Sequence, residues 1–297
     1  MRIRETEDRD AEAVARLDRV ADDTRVTSVE SVLYRRRTRL PRARTLDLVA
    51  EIDGAVVACG QAGLDISTTT EGAAWASVTV DTAHRRQGIG SELGRHLLEH
   101  LREIGATKIT SFFRSTEGDE RWAVGQGWSQ LLRGPLIALD PRTVPEPVLP
   151  ENYRCVAMSE LTPEVVYEAI REPALDEPGP VTHDAIELDD FLRDWAEPES
   201  DLESSTAVLD GEGAVVAFAF LYASGDRAQH GFTGTIRAHR GRGLATAAKR
   251  RALRTAAERG VTLVTTSNAE ENAAMRGINR KLGFEPIGEH VIFGRDL

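Results

Sequence analysis

Short segments in which apolar and polar residues alternate are separated by longer segments in which apolar residues recur every three or four positions. The first pattern predicts β-strands and the second predicts amphipathic helices. A strand, two helical segments, three strands, a helix, a strand, a helix and a strand follow one another, and the chain then shows the same order again. This order favours an α/β fold, of the α+β mixed-sheet kind, with helices flanking the sheets.

The predicted elements form one set in each half of the chain. An Asp53-Gly54 turn joins two strands of the first half as a hairpin. In the first half, helices are predicted at 11–20, 30–39, 88–104 and 117–124, and strands at 46–52, 55–64, 75–80, 108–114 and 130–139. In the second half, strands are predicted at 153–158, 205–209, 214–222, 229–236, 262–266 and 290–294, and helices at 243–259 and 272–282.

A proline-rich stretch, DPRTVPEPVLPEN, lies between the two sets. Proline at this density is incompatible with a helix or a central strand, so we interpret the stretch as a linker. The 297 residues also suit two domains better than one. We therefore predict an N-terminal domain over 1–140, a linker over 141–152 and a C-terminal domain over 153–297.

The two halves repeat each other in sequence. AHRRQGIGSELGRHLLEHLREIGATKIT at 83–110 aligns without a gap with AHRGRGLATAAKRRALRTAAERGVTLVT at 238–265. A gapless match of this length indicates a duplicated domain. The residues of the first copy that meet identical partners are Ala83, His84, Arg85, Gly88, Arg95, Leu98, Glu103, Gly105, Thr107 and Thr110.

Each copy of the repeat opens with a loop of arginine and glycine, HRRQGIG at 84–90 and HRGRGLA at 239–245. Each loop joins a predicted strand to a predicted helix, where the first amides are unpaired and the helix dipole is positive. Glycine lets the backbone approach an anion closely, and arginine adds donors and charge. The loops therefore predict diphosphate sites. Neither matches the G-x-x-x-x-G-K-[ST] phosphate loop or the G-x-G-x-x-G dinucleotide fingerprint.

Arg85-x-x-Gly88-x-Gly90 and Arg240-x-x-Gly243-x-Ala245 resemble the [RQ]-x-x-G-x-[GA] loop of the GCN5-related N-acetyltransferases (GNAT). The resemblance covers nearly the whole chain and is best at 75–114 and 229–285. It implies two tandem GNAT-type domains, as in mycothiol synthase-like members, with acetyl-CoA as co-substrate and no metal. The implied coenzyme-binding residues are Val78, Val80, Arg85, Arg86, Gln87, Gly88, Ile89, Gly90 and Ser91 in the first copy, and Thr233, Thr235, Arg240, Gly241, Arg242, Gly243, Leu244, Ala245, Thr246 and Asn272 in the second.

A later family motif, N-x-x-A-x-x-x-Y-x-x-x-G-F, resembles NAAMRGINRKLGF at 272–284. By this resemblance Asn272 bonds the pantetheine arm, although asparagine is also a common helix N-cap. Asn279 stands where the family often has the tyrosine that protonates the departing thiolate. The first copy, TEGDERWAVGQGW at 116–128, retains less of the motif. We therefore expect the chemistry in the second domain, with the first holding the coenzyme structurally.

The catalytic candidates are His230, Asn279 and Glu203. His230 is a possible base at neutral pH, or else a strand-end histidine that faces solvent. Relay through water to Glu203, Asp226 or Glu289 is the other route considered for the proton. A backbone N–H near 233–235 on the splayed fourth strand is expected to polarise the thioester carbonyl.

Opposite charges are concentrated in two segments of the second half of the chain. Residues 151–210 hold 17 acidic residues and three arginines, whereas 237–260 hold eight basic residues and one glutamate. An acidic wall around the acceptor would favour a small cationic amine, such as a polyamine, an aminoglycoside or an amino-acid derivative. A generally acidic solvated surface explains the same composition. An acyl-CoA-binding sensor and a protein-lysine acetyltransferase are the other functions considered.

The remaining composition excludes several partners. The net charge of −11 and the lack of aromatic residues among the arginines of YRRRTRLPRAR disfavour nucleic acid. No apolar run is long enough to span a membrane, and the charged start does not resemble a secretory signal. The two cysteines, Cys59 and Cys155, have no metal-site spacing. We expect a cytoplasmic protein that is a monomer or a homodimer.

Overall fold

The computed structural model describes residues 1–297 and divides the chain into two compact units. The first unit contains Met1–Arg133 and Glu289–Leu297, and the second contains Gly134–Gly288. This division differs from the predicted domain boundaries at 140 and 153. The reason is that the last strand of the chain completes the sheet of the first unit, while the segment before the proline-rich stretch completes the sheet of the second.

The first unit has the sheet order β1-β2-β3-β4-β5-β12. Its helices are α1 (Ala11–Ala21), α2 (Val29–Arg37), α3 (Ile89–Glu103) and α4 (Glu117–Gly125). Its strands are β1 (Arg2–Glu5), β2 (Leu46–Ile52), β3 (Ala55–Leu64), β4 (Ala73–Val80), β5 (Lys108–Arg114) and the later part of β12 (Glu285–Asp296). Within β12, residues 290–296 pair antiparallel with the whole of β5.

The second unit has the order β6-β11-β10-β9-β8-β7. Its helices are α5 (Pro163–Ala174), α6 (Leu188–Trp195), α7 (Leu244–Glu258) and α8 (Ala273–Leu282). Its strands are the later part of β6 (Ser129–Leu139), then β7 (Arg154–Ala157), β8 (Thr206–Leu209), β9 (Val215–Ser224), β10 (Arg227–Thr235) and β11 (Leu263–Ser267). Residues 136–139 of β6 pair antiparallel with β11.

The helices that follow the arginine–glycine loops pack one apolar face against each sheet. In α3 this face is Leu93, Leu97 and Leu101, all fully buried, and each such leucine contributes roughly 1.5–3 kcal/mol. In α7 the face is built mostly of alanine, including Ala248 and Ala252. The helix patterns predicted at 88–104 and 243–259 are therefore confirmed, to within one residue at each end. No helix combines the length and the apolar composition that a membrane span requires.

Two neighbouring parallel strands separate in each unit. Strand β4 pairs with β5 only over Ala73–Trp75, although β4 continues to Val80. Strand β10 pairs with β11 only over 227–229, although β10 continues to Thr235. The strands therefore diverge as they approach the arginine–glycine loops, and the splayed strand expected from the sequence is present in both units.

Candidate functional site

The two arginine–glycine loops have the same backbone conformation. Arg85 has φ −66° and ψ 160°, and Arg240 has φ −65° and ψ 161°. In each loop the arginine Nε donates to the carbonyl oxygen five residues earlier, at 3.2 Å to Val80 and at 3.0 Å to Thr235. These bonds fix both guanidinium groups beside the ends of the splayed strands. The sequence repeat is therefore also a repeat in three dimensions.

Glycine is required in both loops by a left-handed backbone. Gly88 and Gly243 have φ of +81° and +80°, and a Cβ added at either would meet no atom within 4 Å. Two further residues, Arg86 with φ +63° and Gly241 with φ +77°, are also left-handed at equivalent places. The space in front of each helix start is thus open. With the unpaired amides of the first helical turn, it forms a cradle suited to a diphosphate.

The residues that follow anchor each cradle to its core. Ile89 and Leu244, the first residues of α3 and α7, are buried. In contrast, Arg85, Arg86, Gln87 and Ser91 are exposed in the first loop, as are Arg240, Gly241, Arg242 and Gly243 in the second, while Ala245 and Thr246 are half-buried. The loop residues named from the sequence are therefore brought together in each unit, with the polar ones facing outward.

A tryptophan covers part of the first cradle. Trp122 Nε1 donates to the Ser91 hydroxyl at 3.4 Å. A Cβ added at Gly90 would lie 3.3 Å from Val80, 3.8 Å from Val78 and 3.9 Å from Trp122, so these side chains close tightly around this glycine. Sequence reasoning missed Trp122, although a large aromatic residue within a polar stretch was a visible signal.

A β-bulge distinguishes the second unit. The pairing of β10 with β9 shifts register between His230 and Thr233, whereas β4 pairs with β3 without a shift. Gly231 lies in the bulge, where a Cβ would come within 2.6 Å of Tyr222 Cε2. A bulge releases backbone groups from the ladder and re-aims them. Gly231 and Phe232 therefore lie outside the register, directly before Thr233. The oxyanion donor near 233–235 stays a prediction.

One carboxylate pairs with an arginine of the second loop and with another arginine just before the loop. Asp176, which follows α5, accepts from Arg237 at 2.7 and 3.0 Å and from Arg240 at 2.6 Å. These hydrogen bonds, that from Arg237 foremost, lower the pKa of Asp176 to about 2. Arg242 donates to the Tyr153 hydroxyl. The second cradle is therefore partly neutralised from within the unit.

Asn272 is the N-cap of α8. Its Oδ1 accepts from the Met275 amide at 3.1 Å. The capping interpretation of Asn272 is therefore seen in the structure. This bond uses only the oxygen of the carboxamide. The NH₂ group of Asn272, which is a donor, takes no part in it.

His230 is buried, with 4% of its surface exposed, so the expectation of a strand-end histidine facing solvent is wrong. The β-bulge and the neighbouring Phe284, whose ring centroid lies 6.4 Å away, enclose it. Its Nδ1 lies 3.1 Å from the Phe220 carbonyl oxygen, which can only accept, so Nδ1 carries the proton. Burial, then the charge of Lys249, holds the pKa of His230 well below 6.5. Its Nε2 has no partner, is unprotonated and is enclosed, and the low pKa makes it a weak base.

Two further polar residues of the second unit, Asn279 and Lys249, are buried. Asn279 is fully buried; its Nδ2 donates to Asn268 Oδ1 at 2.5 Å, and its own Oδ1 has no partner. Lys249 Nζ lies 5.7 Å from the Phe284 ring, and burial lowers its pKa to about 7. Sequence reasoning missed Lys249. A lysine on the alanine-rich face of α7 was the available signal.

Glu203 is not brought to the splayed strands. It lines a cleft with Ser224 and Arg259, and Arg259 directly follows the C-terminal end of α7. The second loop lies at the other end of this helix, about 22 Å away for its 15 residues. Of the other carboxylates considered, Asp226 accepts from Thr262 and Glu289 pairs with Arg133.

The acidic block of 151–210 is not a uniform exposed wall. Asp190 and Glu199 are buried, and Asp176 pairs with the loop arginines. Arg193 pairs with Asp190 and Asp194, both close to it on α6. Part of the negative charge counted from the sequence is thus neutralised locally. No group of three or more metal-ligating side chains that could hold an ion is found.

The sequence profile of the acetyltransferase (GNAT) family matches residues 14–122 and 166–284. Among solved structures, a tandem GNAT protein from the clavulanic acid biosynthesis pathway is 22% identical, with a TM-score of 0.76 over 99% of this chain and 98% of that one. A GCN5-related N-acetyltransferase from Sphaerobacter thermophilus is 21% identical, with a TM-score of 0.73 over 99% and 95%. No curated protein matches the chain. The chain belongs to the GNAT acetyltransferase family and carries two GNAT domains in tandem, which makes it an acyltransferase.

Proposed function

We propose that the protein transfers an acetyl group from acetyl-CoA to a primary amine of a small, cationic molecule, with the chemistry in the second unit. The observation that carries this proposal is the β-bulge of β10, which only the second unit has beside its divergent strands and its loop. The bulge leaves Gly231 and Phe232 outside the ladder, directly before Thr233, where this proposal places the developing oxyanion. The first unit serves as a second coenzyme-binding unit.

The cradle residues fit the coenzyme by their chemistry. The amides of 241–246 and the guanidinium groups of Arg240 and Arg242 would hold the diphosphate, and Asn272 would meet the pantetheine arm. When bound, acetyl-CoA supplies the acetyl group as an activated thioester. The first loop offers the equivalent amides and Arg85, with Trp122 beside them.

The proton steps are assigned to groups of the second unit. His230 is the base in this proposal, because its Nε2 is unprotonated at neutral pH and has no other partner. Asn279 is a fully buried carboxamide without a titratable proton, so it cannot serve as the acid. The thiolate is a fair leaving group and can depart without a strong acid nearby. Glu203 can act only through water.

The proposal also covers the cellular compartment and the partners of the protein. Neither cysteine is in a disulfide, and burial raises the pKa of the Cys59 thiol to about 12 and that of Cys155 to about 11. Inert, reduced thiols suit the cytoplasm. A monomer or a homodimer, without nucleic acid, membrane or metal partners, completes the proposal.

The experiment is a thiol-release assay with acetyl-CoA and a panel of cationic, neutral and anionic amines, at low and high salt. We expect cationic amines to turn over best, with an advantage that salt reduces. Best turnover of a neutral or anionic acceptor contradicts the substrate class. Coenzyme binding without turnover of any amine supports a sensor instead, and turnover of protein lysines alone supports a protein acetyltransferase.

A further inference from the structure

The passage from each arginine–glycine loop to its divergent strands decides how much of a coenzyme the unit can hold. In the proposed reaction the diphosphate lies on 241–246 and the thioester reaches Thr233, so the pantetheine arm must run from the loop toward the divergent ends of β10 and β11. The corresponding passage of the first unit lies between the start of α3 and the divergent ends of β4 and β5. The two passages differ in the residues beside them.

Trp122 bridges the passage of the first unit. It lies on α4, which follows β5 in the chain, yet its Nε1 donates to the Ser91 hydroxyl in the first turn of α3 at 3.4 Å. A Cβ added at Gly90 would lie 3.9 Å from Trp122 and 3.3 Å from Val80, near the end of β4. One indole therefore reaches from the α4 side of the passage to the start of α3, beside the end of β4. An arm that enters this passage has to displace it.

The second unit has a different residue at the position of Trp122. Alignment of the motif at 116–128 with that at 272–284 places Ile278 there. Ile278 is partly buried and packs against the hydrophobic core between α7 and its sheet. Isoleucine has no hydrogen-bond donor and is smaller than an indole, so it cannot make the bond that Trp122 makes to α3.

The donor proposed for the pantetheine arm is also lost in the first unit. Thr116 stands at the position of Asn272, and both residues cap the helix that follows them. The Thr116 hydroxyl accepts from the Asp119 amide at 3.1 Å and gives its single proton to Asp119 Oδ2 at 2.6 Å. The NH₂ group of Asn272 takes no part in its capping bond, whereas Thr116 has no second proton to donate. The first unit therefore offers the arm neither a clear path nor this donor.

The charges of the first loop favour a ligand that ends in a free diphosphate. Arg85 Nη1 lies 3.9 Å from Asp119 Oδ1, whereas Arg240 Nη2 lies 2.6 Å from Asp176 Oδ2. Arg85 is thus less neutralised than its counterpart in the second loop. The terminal phosphate of a nucleoside diphosphate carries more negative charge than the diphosphate diester of CoA, so it gains more from such a guanidinium.

We propose that the first unit recognises only the nucleoside diphosphate end of the coenzyme, and that it binds free adenosine 5′-diphosphate (ADP) about as tightly as CoA. Trp122 is the residue that excludes the pantetheine arm. The inference rests on the proposed function, since it takes the first loop as a diphosphate site. It goes further because it makes the first unit a site for nucleoside diphosphates, whereas the second unit requires the arm.

The test is isothermal titration of CoA and of ADP into two variants of the full chain, each of which keeps one loop open. In Gly243→Glu, which keeps the first loop, ADP should bind within about threefold of CoA. In Gly88→Glu, which keeps the second loop, CoA should bind at least about tenfold more tightly than ADP, because the arm adds contacts there.

The two variants separate failure of this inference from failure of the proposed function. A tenfold preference for CoA in Gly243→Glu, or no binding of ADP to that variant at millimolar concentration, overturns the inference. Lack of CoA binding by Gly88→Glu contradicts the proposed function of the second unit instead, and the ADP titration of the first loop still decides the inference.

A further substitution tests the role of Trp122. In the Gly243→Glu background, Trp122→Ala should bind CoA at least about threefold more tightly and should bind ADP as before, because the passage is opened. Val124→Ala is the matched control, since Val124 lies on the same helix and is exposed. Unchanged CoA binding by Trp122→Ala, or weaker ADP binding, overturns the role of Trp122 as a barrier to the arm.

Fluorescence of the unmodified chain gives a readout that does not depend on the folding of a glycine variant. ADP and CoA should change the emission of Trp122 with midpoints within about threefold of each other, and Trp122→Phe should remove most of both changes. A change of Trp122 emission with CoA but none with ADP overturns the inference.

Discussion

Asp176 places a carboxylate oxygen 2.6 Å from Nη2 of Arg240, the first arginine of the second arginine–glycine loop. The same carboxylate holds Arg237 at 2.7 Å through its other oxygen. In the first unit, the nearest acid to the equivalent Arg85 is Asp119, at 3.9 Å. A phosphate that enters the second loop must therefore compete with an internal anion, and one that enters the first meets less competition.

This competition predicts the effect of Asp176→Asn. The variant should bind CoA about three- to tenfold more tightly in the second unit at low salt, because its arginines lose a competing charge. Glu168→Gln is the control, since Glu168 pairs on the same helix with Arg171, away from the loop. Titration of CoA into each variant measures the effect. Weaker binding by Asp176→Asn would show that the carboxylate positions Arg240 instead.

Because His230 is buried, we expect its imidazole to take up a proton only at low pH. Burial keeps the pKa of His230 well below 6.5, so its ring should still be neutral at pH 6.5, where an exposed imidazole is half protonated. The unfolded chain takes up a proton near pH 6.5 and the folded chain does not, so His230 lowers stability as pH falls below 6.5. Ring NMR signals of His230, assigned with His230→Gln, give the measurement. A titration midpoint near 6.5 would contradict the burial.

Burial of Lys249 predicts a change in the stability of the protein at higher pH than that caused by His230. Its pKa is about 7 in the folded protein and 10.5 when exposed, so the unfolded chain holds more protons between these values. Stability should therefore rise with pH from 7 to 10.5, by about 1.4 kcal/mol for each unit of pKa shift. Lys249→Met should be more stable than the wild type at pH 7 and should lose this rise. Urea unfolding at pH 7 and pH 10 measures both, with Lys281→Met, on α8, as control.

Trp122 predicts a spectroscopic signal for the first unit. Because its indole bonds Ser91 at the first loop, CoA bound there should change Trp122 fluorescence. Trp122→Phe should remove most of that change, and Gly88→Glu should abolish it. Gly243→Glu should leave it intact, because the second loop lies in the other unit. An undiminished change in Trp122→Phe would show that another tryptophan reports the coenzyme.

The local elements were predictable because periodicity and turn chemistry determine them. The repeat at 83–110 and 238–265 predicted equal loops, and Arg85 and Arg240 adopt φ and ψ values within a degree of each other. The placement of β12 in the sheet of the first unit and of β6 in that of the second was not predictable. The pattern of a strand does not indicate which strand it pairs with. The contact of Asp176 with Arg240 and the burial of His230 were missed for the same reason: both depend on tertiary packing.

The most direct test of the account is the stoichiometry of CoA binding measured by isothermal titration. Gly88 and Gly243 form a matched pair, with nearly equal positive φ and open space where a side chain would project. Glutamate at either position should block that loop alone. We expect two CoA per wild-type chain, one in Gly88→Glu and in Gly243→Glu, and none in the double variant, with acetyl transfer lost only when Gly243 is changed. Two bound CoA in both single variants would contradict it.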